Sequence, residues 1–168
     1  KKIHFPDTLS LRPTPSRVRE TLFNWLMQSI HGSRCLDAFA GSGALGFEAW
    51  SRGAGHVTFI EQSPTAFLNL KKQALAFKSS TLEPIQTDAL TYLTHTHEQF
   101  NLIFLDPPFD KPALLNNSIS LLEERNILLE QGLIYTESAQ PITLNPAHWE
   151  TLKEKKAGLI YYSLHQKK

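Results

Sequence analysis

Two stretches of the chain combine residue types that could do chemistry. The first is LDAFAGSGALG, residues 36–46, whose glycines match the G-x-G-x-x-G pattern of dinucleotide-binding loops. The second is LDPPF, residues 105–109, where an acid and two prolines follow an apolar run. The glycines predict that the backbone comes close to a nucleotide cofactor, and LDPPF is the candidate for the reacting groups.

The acid ahead of the glycine loop indicates the charge of the cofactor. Asp37 lies four residues before Gly41. A dinucleotide loop must accommodate a pyrophosphate, and a nearby carboxylate opposes that. The methionine end of S-adenosylmethionine carries an ammonium and a sulfonium, and an acid suits both cations. Asp37 therefore favours S-adenosylmethionine over NAD.

Acids also follow other predicted strands. Glu61, 20 residues after Gly41, could accept hydrogen bonds from both ribose hydroxyls of either cofactor. Asp88 could accept from an adenine amino group, or instead cap a helix that starts at Ala89. Because the carboxyl ends of parallel strands meet at one edge of a sheet, we expect these acids to share a site. The cofactor-binding residues predicted from these motifs are Asp37, Phe39, Gly41, Ser42, Gly43, Glu61, Gln62, Asp88 and Ala89.

LDPPF is suited to methylating an amine. Its prolines remove two N–H donors and stiffen the chain. Asp106 and the Pro107 carbonyl could accept both hydrogens of an sp² exocyclic amine and direct its lone pair at an electrophile. Phe109 offers a face to a flipped base, a stacking contact of about 1–3 kcal/mol. The predicted catalytic residues are Asp106, Pro107, Pro108 and Phe109, and the alternative is a rigid turn without chemistry.

The elements that must position these residues alternate along the chain. An apolar stripe predicts a helix over residues 16–30, with Ser16 as its N-cap. Strands are predicted over 34–39, 56–62, 83–88, 100–109 and 132–138, with the fourth central, and helices over 43–53, 64–79 and 111–124. The tail, 150–166, alternates as an antiparallel pair around Gly158. The predicted fold class is α/β: a Rossmann-like class I methyltransferase with a mostly parallel seven-stranded sheet, a C-terminal antiparallel hairpin and helices on both faces.

Composition narrows the class of protein. The 168 residues, 41% of them hydrophobic, suit one soluble domain over 1–168 without a signal peptide or membrane span. Residues 1–20 hold five basic and two acidic residues, and residues 151–168 hold five and one, so the centre is acidic. Basic ends predict a polyanionic partner, and the alternative explanation of the same charge pattern is that both ends are solvated tails. The single Cys35 suits the cytoplasm, and His95 and His97 are interpreted as loop residues, so no metal is expected.

The motifs together resemble a known family. D-x-F-x-G-x-G from Asp37 to Gly43, the acid Glu61 and D-P-P-F are typical of class I amino-methyltransferases. LRPTPSRVRETLFNWL, residues 11–26, closely resembles the opening signature of the bacterial RsmD family. That family methylates the exocyclic N2 of a guanine in 16S ribosomal RNA with S-adenosylmethionine. The resemblance covers nearly the whole chain.

The resemblance implies further residues and partners. Arg12 and Thr14 would lie near the methionine end of the cofactor, and Arg17 and Arg19 would face the cofactor or RNA phosphates. Basic residues at a helix start are unfavourable for the helix dipole, which favours an external anion over a solvated helix start. The family usually has a basic, glycine-containing strand before the signature, where only residues 1–10 stand here. We therefore expect part of the RNA-contacting surface to be missing. The expected protein is a cytoplasmic monomer acting on 16S rRNA, within a 30S assembly particle.

Three other functions are compatible with parts of the pattern. A DNA adenine-N6 methyltransferase shares D-P-P-F, but it would usually carry a separate target-recognition domain. An NAD-binding oxidoreductase fits the literal glycine pattern and leaves D-P-P-F unexplained. A non-catalytic RNA-binding module could have kept the fold. Cofactor binding and the nature of the methylated nucleic acid distinguish these alternatives.

Overall fold

A single seven-stranded sheet organises the computed structural model, which describes residues 15–168. The strands are β1 Arg34–Asp37, β2 His56–Glu61, β3 Leu82–Gln86, β4 Phe100–Leu105, β5 Leu128–Ser138, β6 Trp149–Ala157 and β7 Ile160–Lys167. Their order across the sheet is β3-β2-β1-β4-β5-β7-β6. The first five are parallel, and β7 runs antiparallel to both β5 and β6. The predicted fold, with its central fourth strand and closing hairpin, is confirmed.

Helices cover both faces of the sheet. They are α1 Ser16–Trp25, α2 Ala44–Ser51, α3 Pro64–Ala76, α4 Ala89–His95 and α5 Pro112–Glu124. Helices α1, α2 and α3 bury their apolar residues in one core with Phe104 and Tyr135 of the sheet. Helices α4 and α5 pack in a second core against the other face, with Ile103 and Ile134. Side chains of successive strand residues point to opposite faces, so one apolar strand supplies both cores.

The first helix differs from its prediction. It ends at Trp25 rather than at residue 30, and residues 26–29 form turns. Leu26 and Ile30 are still buried against the helix, so their apolar spacing persists beyond the helical backbone. Ser16 is the first helical residue and not the N-cap, a position that Pro15 takes without a side-chain hydrogen bond. The predicted cap was therefore wrong, and the fixed backbone dihedral of Pro15 begins the helix instead.

Two other elements were incompletely predicted. Strand β5 begins at Leu128, four residues before the predicted start, and passes Gln131 with a φ of 60°. Its pairing with β4 shifts register there. Helix α4 was predicted only indirectly, as a helix starting at Ala89 that Asp88 could cap. It includes His95, which was interpreted as a loop residue. Within residues 15–168, none of the helices is long and apolar enough to cross a membrane.

Two glycines of the loop after β1 set how closely α2 approaches its neighbours. Gly43 is the N-cap of α2 and has a φ of 82°. A Cβ there would lie 2.5 Å from Leu70 of α3 and 2.6 Å from the ring of Phe47. A Cβ on Gly46 would collide with the ring of Phe59 on β2. The glycine pattern thus serves helix packing as well as the turn.

Candidate active site

A cavity of about 440 Å³ opens at the carboxyl ends of the parallel strands. Its volume is within the usual range for small-molecule sites, roughly 300–1,000 Å³. It brings together most of the residues predicted from the two motifs. These are Phe39, Gly41, Ser42, Glu61, Gln62, Asp88, Ala89, Asp106, Pro107, Pro108 and Phe109. The glycine loop and LDPPF therefore line one space, as the topology of the sheet predicts.

Some predicted residues lie elsewhere. Asp37 and Gly43 are buried beside the cavity and do not line it. Arg17 and Arg19 lie in the first turn of α1, where Arg17 is exposed and Arg19 is half-buried, and neither lines the cavity. Arg12 and Thr14 lie outside the described residues, so their predicted roles at the methionine end stay predictions.

Glu61 fixes the loops that form the floor of the cavity. Its Oε1 accepts a hydrogen bond from the Gly41 N–H at 2.8 Å. Its Oε2 accepts one from the Ser63 N–H, also at 2.8 Å. A carboxylate has about four acceptor sites, so these two bonds leave capacity for ribose hydroxyls. Glu61 thus holds the loop that follows β1 and the start of α3 in place.

Asp88 has the capping role that was weighed against adenine recognition. Its Oδ1 accepts from the Thr91 N–H at 2.9 Å, and its Oδ2 accepts from the Thr91 hydroxyl at 2.7 Å. These hydrogen bonds lower the pKa of the Asp88 carboxyl below its ordinary value. Asp88 also lines the cavity, so capping α4 does not remove it from the predicted adenine end.

Asp37 is almost entirely buried under the glycine loop. Its Oδ2 accepts a hydrogen bond from the Gly46 N–H of α2 at 3.0 Å. Its Oδ1 is buried and has no hydrogen-bond partner among the described residues. Burial raises the pKa of Asp37 to about 7, against the opposing effect of the Gly46 N–H, and the charges of Glu61 and Glu137 raise it further. A positive charge nearby would favour the ionised carboxylate.

Asp106, at the end of the neighbouring strand β4, also has a buried carboxylate oxygen without a hydrogen-bond partner among the described residues. It follows β4 directly, and its Oδ1 is buried without a hydrogen-bond partner in the part of the chain that the structure describes. Burial raises the pKa of Asp106 well above its ordinary value, and the charges of Glu137 and Asp37 add to the rise. A buried unpaired acceptor costs about 1–3 kcal/mol, so it is suited to receive a donor from a ligand.

Glu137 is a buried acid of the cavity that was not predicted from the sequence. Glu137 lies near the end of β5, is 5% exposed and lines the cavity beside the LDPPF turn. The sequence does mark Glu137 as a candidate. The fragment YTES places an acid near the end of an apolar strand, as RCLD and LIFLD do. The rule that collected the acids after the first four strands identifies Glu137 when it is extended to the fifth.

Comparison with known proteins decides the family. The family described as "Conserved hypothetical protein 95" matches residues 1–166. The chain is 47% identical over 172 residues to "Ribosomal RNA small subunit methyltransferase D" of Haemophilus influenzae, covering 99% of this chain and 88% of the relative. It is 41% identical to the Escherichia coli protein of the same name, covering 99% and 85%.

The chain belongs to the RsmD family. The RsmD-family chain also superposes on a solved structure, "Putative methyltransferase yhhF from Escherichia coli", with a TM-score of 0.88 and 42% identity. The match covers 97% of this chain and 90% of that one. The resemblance seen in residues 11–26 and in the two motifs is therefore confirmed.

Proposed function

We propose that this chain is an S-adenosylmethionine-dependent methyltransferase that modifies the exocyclic N2 of a guanine in 16S rRNA. The observation that carries the proposal is the single cavity lined by both Glu61 of the cofactor motif and Asp106 of LDPPF. The names of the relatives, ribosomal RNA small subunit methyltransferases, supply the substrate class.

The residues around the cavity fit this cofactor. Asp37 and Asp106 each have a buried oxygen without a hydrogen-bond partner among residues 15–168. Burial raises the pKa of both carboxyl groups, that of Asp37 to about 7. A cationic ligand removes that penalty, whereas a pyrophosphate would add to it. When bound, S-adenosylmethionine supplies an activated methyl group. We propose that Glu61 and Asp88 hold its ribose and adenine.

The LDPPF turn positions the target amine. Asp106 and the Pro107 carbonyl accept the two N2 hydrogens, which turns the nitrogen lone pair away from them. Phe109 stacks on the base. After methylation N2 must lose a proton, and Asp106 can hold it, because burial makes its carboxylate more basic. Alignment supplies most of the rate, and orientation can contribute about 7–11 kcal/mol.

The partners follow from the substrate. A domain of this size reads little RNA sequence by itself, so we propose folded 16S rRNA within a 30S assembly particle as its substrate. We propose that the protein acts as a monomer in the cytoplasm, without a metal ion. Arg17 and Arg19, at the start of α1, are proposed to contact RNA phosphates.

Calorimetry tests the cofactor. We expect S-adenosylhomocysteine to bind with micromolar affinity and NAD to give no heat. Binding of NAD with no response to S-adenosylhomocysteine would establish a dinucleotide site and overturn the proposal.

Methyl transfer tests the substrate. Labelled S-adenosylmethionine, the protein and 30S particles from a bacterial strain that lacks the corresponding gene should yield N2-methylguanosine in 16S rRNA, detected by mass spectrometry of nucleosides. Genomic DNA from the same strain is the parallel substrate. Label found in DNA as N6-methyladenine, with none in rRNA, would establish the rival DNA methyltransferase.

A further inference from the structure

We propose that Glu137 is a specificity-determining residue that accepts the N1–H of the target guanine and thereby excludes adenine. The inference rests on the proposed guanine methylation and assigns a residue to the choice of base.

The register of the sheet places Glu137 beside Asp106. Leu105 of β4 pairs with Thr136 of β5 in parallel register, and Asp106 and Glu137 are the next residues on the two strands. Neighbouring strands lie about 4.8 Å apart, so the two carboxyl groups start from adjacent positions. Both line the cavity. Their proximity also appears in the pKa of Asp106, which the charge of Glu137 raises.

Two neighbouring carboxyl groups match the Watson–Crick edge of guanine. That edge presents the N2 amine next to N1–H, so both groups are hydrogen-bond donors. Adenine presents its N6 amine next to an unprotonated N1, which is an acceptor. With Asp106 on the amine, an acceptor at Glu137 pairs with the N1–H of guanine and faces the lone pair of adenine N1. Because Glu137 is 5% exposed, water cannot readily replace the lost hydrogen bond.

Tyr135 orients Glu137 for this role. Its hydroxyl donates a hydrogen bond to Glu137 Oε2 at 2.7 Å, and Tyr135 is fully buried on the same face of β5. Because the Tyr135 hydroxyl donates to one carboxylate oxygen, it restricts the rotamer of Glu137. Tyr135 is therefore a positioning residue, and Glu137 is the residue that meets the base.

Replacing the target guanine with 2-aminopurine tests the contact. 2-Aminopurine keeps the exocyclic N2 amine, lacks the 6-oxo group and has a lone pair at N1. Once mass spectrometry has located the methylated guanine, 16S rRNA with 2-aminopurine at that position is made by ligation and assembled into 30S particles. We expect the unaltered protein to methylate guanine with a kcat/KM about tenfold to a hundredfold above that for 2-aminopurine, the range for a buried hydrogen bond to a charged group.

Glu137→Gln should reduce this preference. A glutamine can keep its oxygen toward Tyr135 and direct its amide N–H₂ at the cavity, where it opposes N1–H and pairs with the N1 lone pair of 2-aminopurine. The ratio of kcat/KM for guanine over that for 2-aminopurine should fall at least tenfold. Glu130→Gln, an exposed change on the same strand, is the matched control and should leave the ratio unchanged.

Binding gives a readout that is independent of turnover. The fluorescence of 2-aminopurine RNA is titrated with each protein in the presence of S-adenosylhomocysteine. Glu137→Gln should bind this RNA about threefold to tenfold more tightly than the unaltered protein does, since one mismatched polar contact is replaced by a hydrogen bond. Affinity for S-adenosylhomocysteine should stay within a few-fold, because the proposed contact is with the base.

The outcomes separate this inference from the function on which it rests. Equal kcat/KM for guanine and 2-aminopurine with the unaltered protein would overturn the role of Glu137 without requiring any variant. An equal loss on both substrates in Glu137→Gln would do the same and leave guanine methylation standing. If the unaltered protein forms no N2-methylguanosine in 30S particles, the proposed function fails and the inference fails with it.

Discussion

The raised pKa values of Asp37 and Asp106 couple the stability of the fold to the binding of a cationic ligand. Burial raises the pKa of Asp37 from 3.8 to about 7, and the pKa of Asp106 moves in the same direction. The folded protein therefore holds the protons of these two carboxyl groups more tightly than the unfolded chain does. The stability of the ligand-free protein falls as pH rises through the interval from 3.8 to about 7. A bound cation reverses the preference and stabilises the carboxylates.

Proton release on cofactor binding follows at the residue scale. At pH 6.5 we expect binding of S-adenosylmethionine to expel protons, chiefly from Asp37. Calorimetry in two buffers with different ionisation enthalpies measures the number released. Asp37→Asn should reduce the release and weaken binding about tenfold or more, because the buried charge opposite the cation is lost. A buffer-independent heat for the unaltered protein would show that Asp37 is already ionised.

Removal of the Asp106 carboxyl should separate catalysis from cofactor binding. We expect Asp106→Ala to lower kcat on 30S particles by about a hundredfold or more, the lower range for a positioned acid or base. Affinity for S-adenosylhomocysteine should stay within a few-fold, because Glu61 and Asp88 are unchanged. Glu130→Ala serves as the control for a lost acid on the exposed part of β5. Loss of cofactor binding in Asp106→Ala would instead place Asp106 in the cofactor site.

At the scale of elements, the approach of α2 to α3 depends on one left-handed glycine. Gly43 and Gly158 both have a positive φ, at 82° and 60°. A Cβ on Gly43 would lie 2.5 Å from Leu70. A Cβ on Gly158 would have no heavy atom of a non-neighbouring described residue within 4 Å. The pair therefore separates backbone strain from steric crowding.

Alanine at these two positions should have different costs. Gly158→Ala should lower the free energy of unfolding by about 1–2 kcal/mol from backbone strain alone. Gly43→Ala should lose that amount and a further 1–3 kcal/mol or so from overpacking. Urea denaturation measures both. Equal losses would mean that Leu70 and Phe47 move aside without cost.

The same comparison of elements shows how far the sequence alone could lead. The start of β4 was located at Phe100, because burial on both faces leaves a plain apolar pattern, but its predicted end at residue 109 lies four residues beyond Leu105. The start of β5 was missed, since the left-handed Gln131 breaks the pattern without glycine or proline to mark it. Pro15 outweighed the capping preference of Ser16. Buried hydroxyls such as Thr136 and Ser163, 2.8 Å apart, depend on the partner strand and leave no local signal.

Most of the predicted site residues line one cavity, and their functional roles stay predictions. Glycines, prolines and acids at strand ends identify a site locally, and parallel topology brings them together. Which of them reach the cavity required coordinates: Asp37 is buried beside it, and Asp88 caps α4. Glu137 was not predicted, although it is an acid near the end of the fifth strand.

At the scale of the whole molecule, the C-terminal hairpin adds positive charge at the edge of the sheet where the cavity opens. Lys155 and Lys156 of β6 pair with Tyr162 and Tyr161, which pair in turn with Glu137 and Ser138 at the end of β5. Lys153, Lys155 and Lys156 are exposed. Because these lysines lie near the level of Glu137 in the sheet, we expect them to contact RNA phosphates that flank a base in the cavity.

Salt dependence tests that arrangement. Replacing Lys153, Lys155 and Lys156 with glutamine should reduce the slope of log affinity for 16S rRNA against log salt by about 0.7–0.9 per lysine that contacts a phosphate. Filter binding over a range of salt concentrations measures the slope. Lys71→Gln with Lys72→Gln, on α3 near the opposite edge of the sheet, is the control and should leave the slope unchanged. Similar losses in both sets would indicate diffuse attraction without a preferred edge.

The bonds of Glu61 have a consequence for the kinetics of cofactor capture. Since its two oxygens already tether Gly41 and Ser63, the loop geometry is established before the ligand arrives. The entropy cost of ordering these loops is therefore met when the protein folds and not when the cofactor binds. Cofactor binding then requires no slow rearrangement. In the free protein the amide hydrogens of Gly41 and Ser63 should exchange with deuterium slowly for loop positions.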